Sequence, residues 1–311
     1  MRRTFVVGCH RSGTTVTQAM LARHPDVYSL PETAFFVELF ARLKHRWGDH
    51  DARARPQRLV HRLGFARHRA RDALIGLKQQ LGAPLESWPG PIRSVSCARS
   101  FIRTLDYVAA QAERSMWLEK TPHHLLYIPE IQQHVPDARF IHVIRPGIDV
   151  MASVIDANMR FTGNHAFLGD INLWVQRWNR AMAIHHSYLG KPGHHVIALE
   201  DLVRDPQTEW RRLCRFLDLQ PHAPMPDACD QPIADLQSEP WKLGAIGGLP
   251  STPERKAESL FGPRLRQWLL EQTGAYDALY ARCRQQRLDN PLKAAGNSTV
   301  RRAELSLPSC N

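Results

Sequence analysis

Apolar runs of strand length alternate with helical patterns along most of the chain. Thr4-Phe5-Val6-Val7 is a continuous apolar, β-branched run of the kind that forms a buried strand. A polar loop bounded by Gly8 and Gly13 follows at once, and Val16 to Arg23 then reads as a helix with Val16, Ala19 and Met20 inward. His24-Pro25-Asp26 closes it, because proline disfavours helix in the residue before it. Val27 to Leu30 predicts a short strand, and Phe35, Phe36, Leu39, Phe40 and Leu43 recur at helical spacing. Further on, Phe101, Ile102, Leu105, Val108, Ala109 and Ala112 predict an amphipathic helix over Ser94 to Arg114. Met116 to Leu118 is a third strand, Pro129 to His134 a short helix, and Arg139 to Arg145 a second clearly buried strand. Helices are predicted through Val150 to Ala157, from Asn172 to Leu189 and from Thr208 to Leu217, with a strand at His195 to Leu199. Pro263 to Cys283 reads as a last helical region. Such alternation predicts an α/β fold with a mostly parallel central sheet and helices on both faces.

Between these elements lie three stretches of different character. Residues 42–78 are dense in Arg, Lys and His around a thin apolar face of Leu59, Val60, Leu63, Phe65, Leu74 and Leu77. With the Pro- and Gly-rich loop from Gln80 to Arg93, they read as a basic helical insertion at about 42–93 covering one face of the core. Residues 158–170 are mixed and glycine-containing and predict a loop over the sheet edge, and about 220–256 are expected to be irregular. Asn290 to Asn311 shows no apolar periodicity. One domain over 1–288 and a mobile tail at 289–311 are therefore expected.

The totals narrow the class. A chain of 311 residues with 43% hydrophobic and 23% charged residues is ordinary for one large soluble domain. The formal net charge of +11 points to an anionic partner without choosing among nucleotide, nucleic acid, glycan or membrane surface. Only Trp47 and Phe65 interrupt the charges of the basic segment, too few for a base-stacking platform, so no nucleic acid is expected. A solvated surface, or a field that steers an anionic substrate, are the other readings of that segment. The six cysteines are scattered without C-x-x-C spacing, which predicts reduced thiols, no zinc site and a cytoplasmic protein; Cys9 reads as a packing residue. No apolar run approaches the ~20 residues of a membrane span, and oligomeric state is not legible.

The chemistry concentrates at strand ends. Strand, glycine loop and helix is the geometry that cradles a phosphate with backbone N–H groups and the helix dipole. Gly8-x4-Gly13 has P-loop spacing, yet Thr14-Thr15 stand where a Walker A motif carries Lys then Ser/Thr; the cation sits inside the loop, as Arg11. The third strand delivers Lys120 and Thr121, and the fourth delivers Arg145 with Ser153 about two turns into the next helix. An arginine at a strand end and a hydroxyl on the following helix can close on one phosphate, so the set suits two anionic groups. The acidic residue that would hold Mg²⁺ in a P-loop NTPase is replaced by Arg145. Glu200-Asp201, the one imitation of that acidic position, serves equally as the start of a helix.

These residues resemble a known family. Gly8-Cys9-His10-Arg11-Ser12-Gly13-Thr14-Thr15 is similar to the 5′-phosphosulfate loop of sulfotransferases that use 3′-phosphoadenosine 5′-phosphosulfate (PAPS), and Arg145 to Ser153 to their 3′-phosphate motif. Leu199 to Leu202, then Asp205-Pro206 and a helix ending Phe216-Leu217, resemble a third segment, so the likeness spans roughly residues 4–217. Pro31-Glu32-Thr33 and Glu119-Lys120-Thr121-Pro122 bring the chain closer to the bacterial, tyrosylprotein and carbohydrate branches than to the cytosolic aryl branch, which carries Lys where Arg11 stands. The resemblance implies a P-loop-like three-layer fold. It implies that Arg11, Ser12, Gly13, Thr14 and Thr15 bind the 5′ side of PAPS and that Arg145 and Ser153 bind its 3′-phosphate.

Three catalytic assignments follow. Arg11 would stabilise the bridging oxygen as it leaves. Glu32 would be the general base for an acceptor hydroxyl, its other reading being a cap for the next helix. Lys120 would neutralise the sulfonate oxygens, its other reading being an ion pair with Glu119 or Glu32. His10 and His123 are rival bases or packing histidines, and Ser238, Trp241, Lys242 and Lys256 are candidate C-terminal cofactor contacts. The expected reaction moves a sulfuryl group from PAPS to a hydroxyl of a carbohydrate, lipid or small metabolite without a metal, since that group carries less charge than a phosphoryl group. A P-loop small-molecule kinase and a basic polyanion-binding protein are the alternatives.

Overall fold

The computed structural model describes residues 1–49, 63–86, 90–161, 167–221 and 256–289. Among them the sheet has five strands: β1 (Arg2–Gly8), β2 (Val27–Ser29), β3 (Met116–Lys120), β4 (Arg139–Ile144) and β5 (His194–Ala198). Their order is β2-β3-β1-β4-β5, and every pairing is parallel. The predicted α/β fold is therefore observed, with its sheet parallel throughout the described residues.

Strict alternation along β1 builds the layers. Phe5 and Val7 point into a cluster with Trp117, Phe140 and Ile144. Val6 points the other way, with Met116, Leu118, Ile141, Val143 and Ile197. The first cluster is covered by Phe101 and Leu105, Val150 and Val154, and Trp174 and Trp178, from three separate helices. The second is covered by Met20 and Leu21 and by Trp210, Leu213 and Cys214. A period of two in the central strand thus demands helices on both faces.

The helices that position the site are α1 (Thr14–Leu21), α2 (Phe35–Phe40), α3 (Leu43–Trp47), α4 (His68–Gln80), α5 (Ser94–Gln111), α6 (Ile128–His134), α7 (Gly147–Arg160) and α8 (Ile171–Tyr188). After β5 come α9 (Leu199–Arg204) and α10 (Pro206–Phe216), then α11 (Lys256–Leu260), α12 (Pro263–Gln272) and α13 (Ala275–Asp289). No helix of the described residues is long and apolar enough to cross a membrane.

Several boundaries differ from the sequence reading for local reasons. β1 begins at Arg2, because Arg3 Nε and Nη2 reach Asp106 at 3.2 and 2.8 Å and satisfy a cation inside the sheet. The helix predicted through Phe35 to Leu43 breaks at Ala41 and Arg42, with φ of 53° and 64°, and the Ala41 carbonyl accepts from the Tyr127 hydroxyl at 2.7 Å. A 3₁₀ turn at Pro122–Tyr127, unforeseen, precedes α6. The basic insertion is partly core, since Trp47, Ala70, Leu74 and Leu77 are buried in the main cluster. Cys9, Cys97, Cys214 and Cys283 are buried. Residues 222–255, including Ser238, Trp241 and Lys242, and the tail at 290–311 lie outside the described residues.

Candidate active site

Parallel register brings the loaded strand ends to one edge. Val6 pairs with Lys120, Gly8 with Val143 and Ile144 with Ala198, so the loop after β1 lies between the ends of β3 and β4. The chain leaves β1 toward β2 on one side, and leaves β4 toward β5 on the other. A reversal of this kind opens a crevice at the carboxyl ends of the strands, where open α/β sheets bind ligands.

The loop is shaped by its glycines. A Cβ at Gly8 would lie 2.7 Å from the Val143 carbonyl oxygen, so a side chain there would push β1 off β4. Gly13 has φ of 98°, and its Cβ would meet Leu199 Cδ1 at 2.7 Å. Between them Arg11 holds a left-handed φ of 65°, an uncommon conformation for a side-chain-bearing residue. The chain turns from Gly13 directly into α1, whose N-terminus has no side-chain cap. The first-turn amides, Thr14 and Thr15 included, therefore meet the loop as unsatisfied donors do at any helix start. Ser12 is wholly buried, and its Oγ has no hydrogen-bond partner among the described residues. A cradle with no room for a Cβ, uncapped amides and a buried hydroxyl lacking a partner fits an anionic oxygen.

The two arginine motifs meet. Arg11 Nε donates to Ser153 Oγ at 3.0 Å, and Arg145 Nη1 donates to the Arg11 carbonyl at 3.1 Å. Arg11 also lies over the Phe167 ring, 5.5 Å from its centroid. The Arg145 carbonyl accepts from Trp178 Nε1 at 3.0 Å. A Cβ on Gly147 would come within 2.5 Å of Thr273 Cβ, so the chain just before α13 packs directly on the first turn of α7. Nearby, burial holds the Asp149 and Glu200 carboxyls above their usual range, opposed by Arg145. Glu200 and Asp201 do begin a helix, and they accept from the hydroxyls of Tyr276 and Tyr280 at 2.7 and 2.6 Å. Lys256 pairs with Asp156 at 2.6 Å.

On the β3 side, Lys120 forms an ion pair with Glu32. The lysine side chain is fully buried, and the carboxylate is 24% exposed. Of its two possible partners, Lys120 has taken Glu32. Glu32 does not cap α2: the N-cap residue is Ala34, and the local acceptor at that helix start is the Thr33 hydroxyl.

His10 and His123 contact each other through their Nε2 atoms at 2.9 Å. Trp47 Nε1 donates to His123 Nδ1 at 3.1 Å. An indole N–H only donates, so His123 Nδ1 is the acceptor, its Nε2 carries the proton, and His10 Nε2 accepts it. Burial, chiefly, holds the His123 imidazole well below its ordinary pKa. Both nitrogens of His123 are thus engaged inside the fold. Beside it Arg177 makes a two-pronged pair with Asp49, at 3.0 and 2.6 Å, and anchors the start of the insertion to α8. The Cys9 thiol is pushed up to about 12 by burial, which suits the packing role and not a nucleophile.

Sequence reasoning missed three things: the buried Glu119, the Asp49–Arg177 anchor and the two C-terminal tyrosines. For Glu119 a signal existed, since a carboxylate directly after the apolar run Met116-Trp117-Leu118, in the same strand, must find partners when buried.

Residues 4–223 match the family model described as Sulfotransferase family. The chain is 26% identical over 219 residues to a protein-tyrosine sulfotransferase of Drosophila melanogaster, covering 69% of this chain and 38% of that protein. It is also 26% identical over 219 residues to protein-tyrosine sulfotransferase A of Caenorhabditis elegans, covering 69% of this chain and 49% of that one. The chain thus spans less than half the length of these two curated relatives. Among solved structures, the sulfotransferase domain from the curacin biosynthetic pathway superposes with a TM-score of 0.54 at 17% identity, covering 86% of this chain and 96% of that chain. That likeness concerns the fold.

Proposed function

The chain belongs to the sulfotransferase family, and on that premise we propose that it moves a sulfuryl group from PAPS to an acceptor hydroxyl by direct in-line displacement. PAPS, when bound, supplies an activated sulfuryl group on a phosphosulfate anhydride. Arg11, Ser12, Gly13, Thr14 and Thr15 hold the 5′ side, and Arg145 and Ser153 hold the 3′-phosphate. Glu32 takes the proton of the acceptor hydroxyl, and Lys120 neutralises the negative charge around the sulfur. No metal enters the proposal, because protein cations and N–H donors match the modest charge of a sulfuryl group.

The observation that carries this reading is the contact of Arg11 with both Ser153 and Arg145. Two motifs far apart in sequence come within hydrogen-bond reach at one strand edge, beside the Lys120–Glu32 pair. Two cationic side chains in one crevice suit a ligand with two separate anionic groups better than one triphosphate chain.

A thermal-shift comparison tests it. The product-like nucleotide 3′,5′-adenosine bisphosphate (PAP) should raise the melting temperature, and ATP with Mg²⁺ should not. Stabilisation by ATP with Mg²⁺ alone would overturn the reading in favour of a kinase. The acceptor class is open to a panel of tyrosine peptide, glycan and aliphatic alcohol with labelled PAPS.

A further inference from the structure

One heavily bonded buried carboxylate near the site has no part in the proposed reaction. Glu119 is fully buried, and its partners are all within the fold. Its Oε1 accepts from the Thr33 backbone N–H at 3.2 Å, the Thr33 hydroxyl at 2.9 Å and the Thr121 hydroxyl at 2.6 Å. Its Oε2 meets His124 Nδ1 at 2.9 Å.

Extended one bond outward, this network reaches three successive amides where α2 begins. Thr121 Oγ1 accepts from the Ala34 N–H at 3.1 Å, Thr33 Oγ1 from the Phe35 N–H at 3.3 Å, and His124 Nε2 from the Phe36 N–H at 3.3 Å. The Phe36 amide can only donate, so His124 Nε2 is bare and its Nδ1–H points at Glu119. Four consecutive backbone donors, from residues 33 to 36, are thereby satisfied by Glu119 or by groups bonded to it. Helix starts normally find such acceptors in their own N-cap side chain. Here the N-cap is Ala34, held at a left-handed φ of 47°, and beside the Thr33 hydroxyl the acceptors are Glu119, Thr121 and His124, from the end of β3 and the 3₁₀ turn. Burial alone would push the Glu119 carboxyl up; His124, Thr121 and Thr33 more than offset that and hold it below the usual range. A negative charge at a helix N-terminus is also favoured by the dipole.

Adjacent residues of β3 therefore hold adjacent residues of one turn. Lys120 holds the Glu32 carboxylate, and Glu119 holds Thr33. We propose that Glu119 is a positioning residue for Glu32, acting as an external cap that clamps the 31–36 turn to the end of β3 so that the Glu32 carboxylate faces Lys120. The inference rests on the reading of Glu32 as the base. Misplacing a catalytic group by about 1 Å costs on the order of 10²-fold in rate.

The test uses the full chain in four forms: unaltered, Glu119→Gln, Glu32→Gln and the double variant. A glutamine at 119 turns an N–H toward the His124 Nδ1–H, which breaks the network without changing side-chain size. The first readout needs no acceptor. The ¹³C carboxyl resonance of Glu32, identified by its absence in Glu32→Gln, should shift in Glu119→Gln, and an unmoved resonance overturns the proposal. The second is conversion of PAPS to PAP in water and with 4-nitrophenol. Glu119→Gln should lose about 10²-fold in turnover with PAP affinity within about twofold, and the double variant should fall no further than Glu32→Gln. Multiplied losses in the double variant, or PAP affinity falling in step with turnover, mark a merely structural role and overturn it. Full turnover in Glu32→Gln would instead remove the base assignment, leaving the resonance to judge the clamp. If Glu119→Gln does not fold, Thr33→Val removes one donor to the same oxygen and should give the same pattern at smaller size; an unmoved Glu32 resonance there overturns the proposal as well.

Discussion

Arg11 Nε and Ser153 Oγ share a hydrogen bond of 3.0 Å across 142 residues of sequence. The loop after β1 and the second turn of α7 are joined through it. The sequence reading sends Arg11 to the 5′ side of the donor and Ser153 to the 3′-phosphate. In the fold the two side chains are partners, so the two halves of the proposed donor site are held together before any nucleotide arrives. Arg145, which donates to the Arg11 carbonyl, closes the set.

Removing the proposed 3′-phosphate contacts should weaken a 3′,5′-bisphosphate more than a nucleotide lacking the 3′-phosphate. Hydrogen bonds to charged groups contribute about 1.5–3 kcal/mol, or roughly 10- to 150-fold in affinity. Arg145→Ala should weaken PAP binding by an amount in that range, and weaken 5′-AMP binding far less. Ser153→Ala should follow the same selectivity with a smaller loss. Calorimetric titration of both nucleotides checks this, and equal losses for the two would exclude the 3′-phosphate assignment.

Glu32→Gln should cut turnover by ~10²- to 10⁴-fold, the contribution expected of a general base. PAP affinity should be retained, because the carboxylate lies at the β3 end of the crevice and not at the donor loop. Steady-state rates beside a PAP titration separate the two effects. Unchanged turnover would take Glu32 out of the mechanism.

Gly13→Ala should damage the loop before it damages the core. An alanine must adopt a φ near 98° and lies against the Leu199 side chain. Strained conformations of this kind cost about 1–3 kcal/mol each. Urea unfolding should show a loss of that size, accompanied by weaker PAP binding. A variant with full stability and full affinity would mean that the loop geometry is not what holds the anion.

Acid should unfold the protein through three buried histidines, His142 in β4, His194 at the start of β5 and His185 in α8. His142 Nδ1 meets His185 Nδ1 at 3.0 Å, and His142 Nε2 meets His194 Nδ1 at 2.9 Å. Burial lowers all three from an ordinary 6.5: His185 to about 3, His194 to about 4 and His142 well below its usual value. A depressed imidazole binds its proton more readily in the unfolded chain. The stability it contributes is complete above about pH 6.5 and is lost as the pH falls toward 3 to 4. Denaturation midpoints measured from pH 7 to pH 4 should decline steeply, and His194→Gln should flatten the slope. A midpoint independent of pH over that window would contradict the assignment.

Much of this protein is written locally. The Thr4 to Val7 run, the glycine spacing of the loop and the apolar strand ending at Arg145 specify three elements through side-chain size and backbone freedom alone. Those properties act between neighbours in the chain, so a single sequence displays them. The α/β alternation and the parallel sheet follow from the same pattern, because buried strands need cover on both faces. The residue types at the strand ends, Arg11, Lys120 and Arg145, are legible for the same reason.

Tertiary structure alone decides which of those groups touch. Whether Lys120 pairs with Glu119 or Glu32 depends on where the 31–36 turn docks, and that turn is fixed by β3 and the 3₁₀ turn, some 85 residues further along the chain. Glu119, His124 and Thr121 add to the Thr33 hydroxyl from a distance in capping α2, whose N-cap residue Ala34 carries no capping group of its own. Arg11 can reach Ser153 only because parallel register sets Gly8 beside Val143. Hydrogen bonds and ion pairs are short-ranged and directional, so their partners are settled by register and packing.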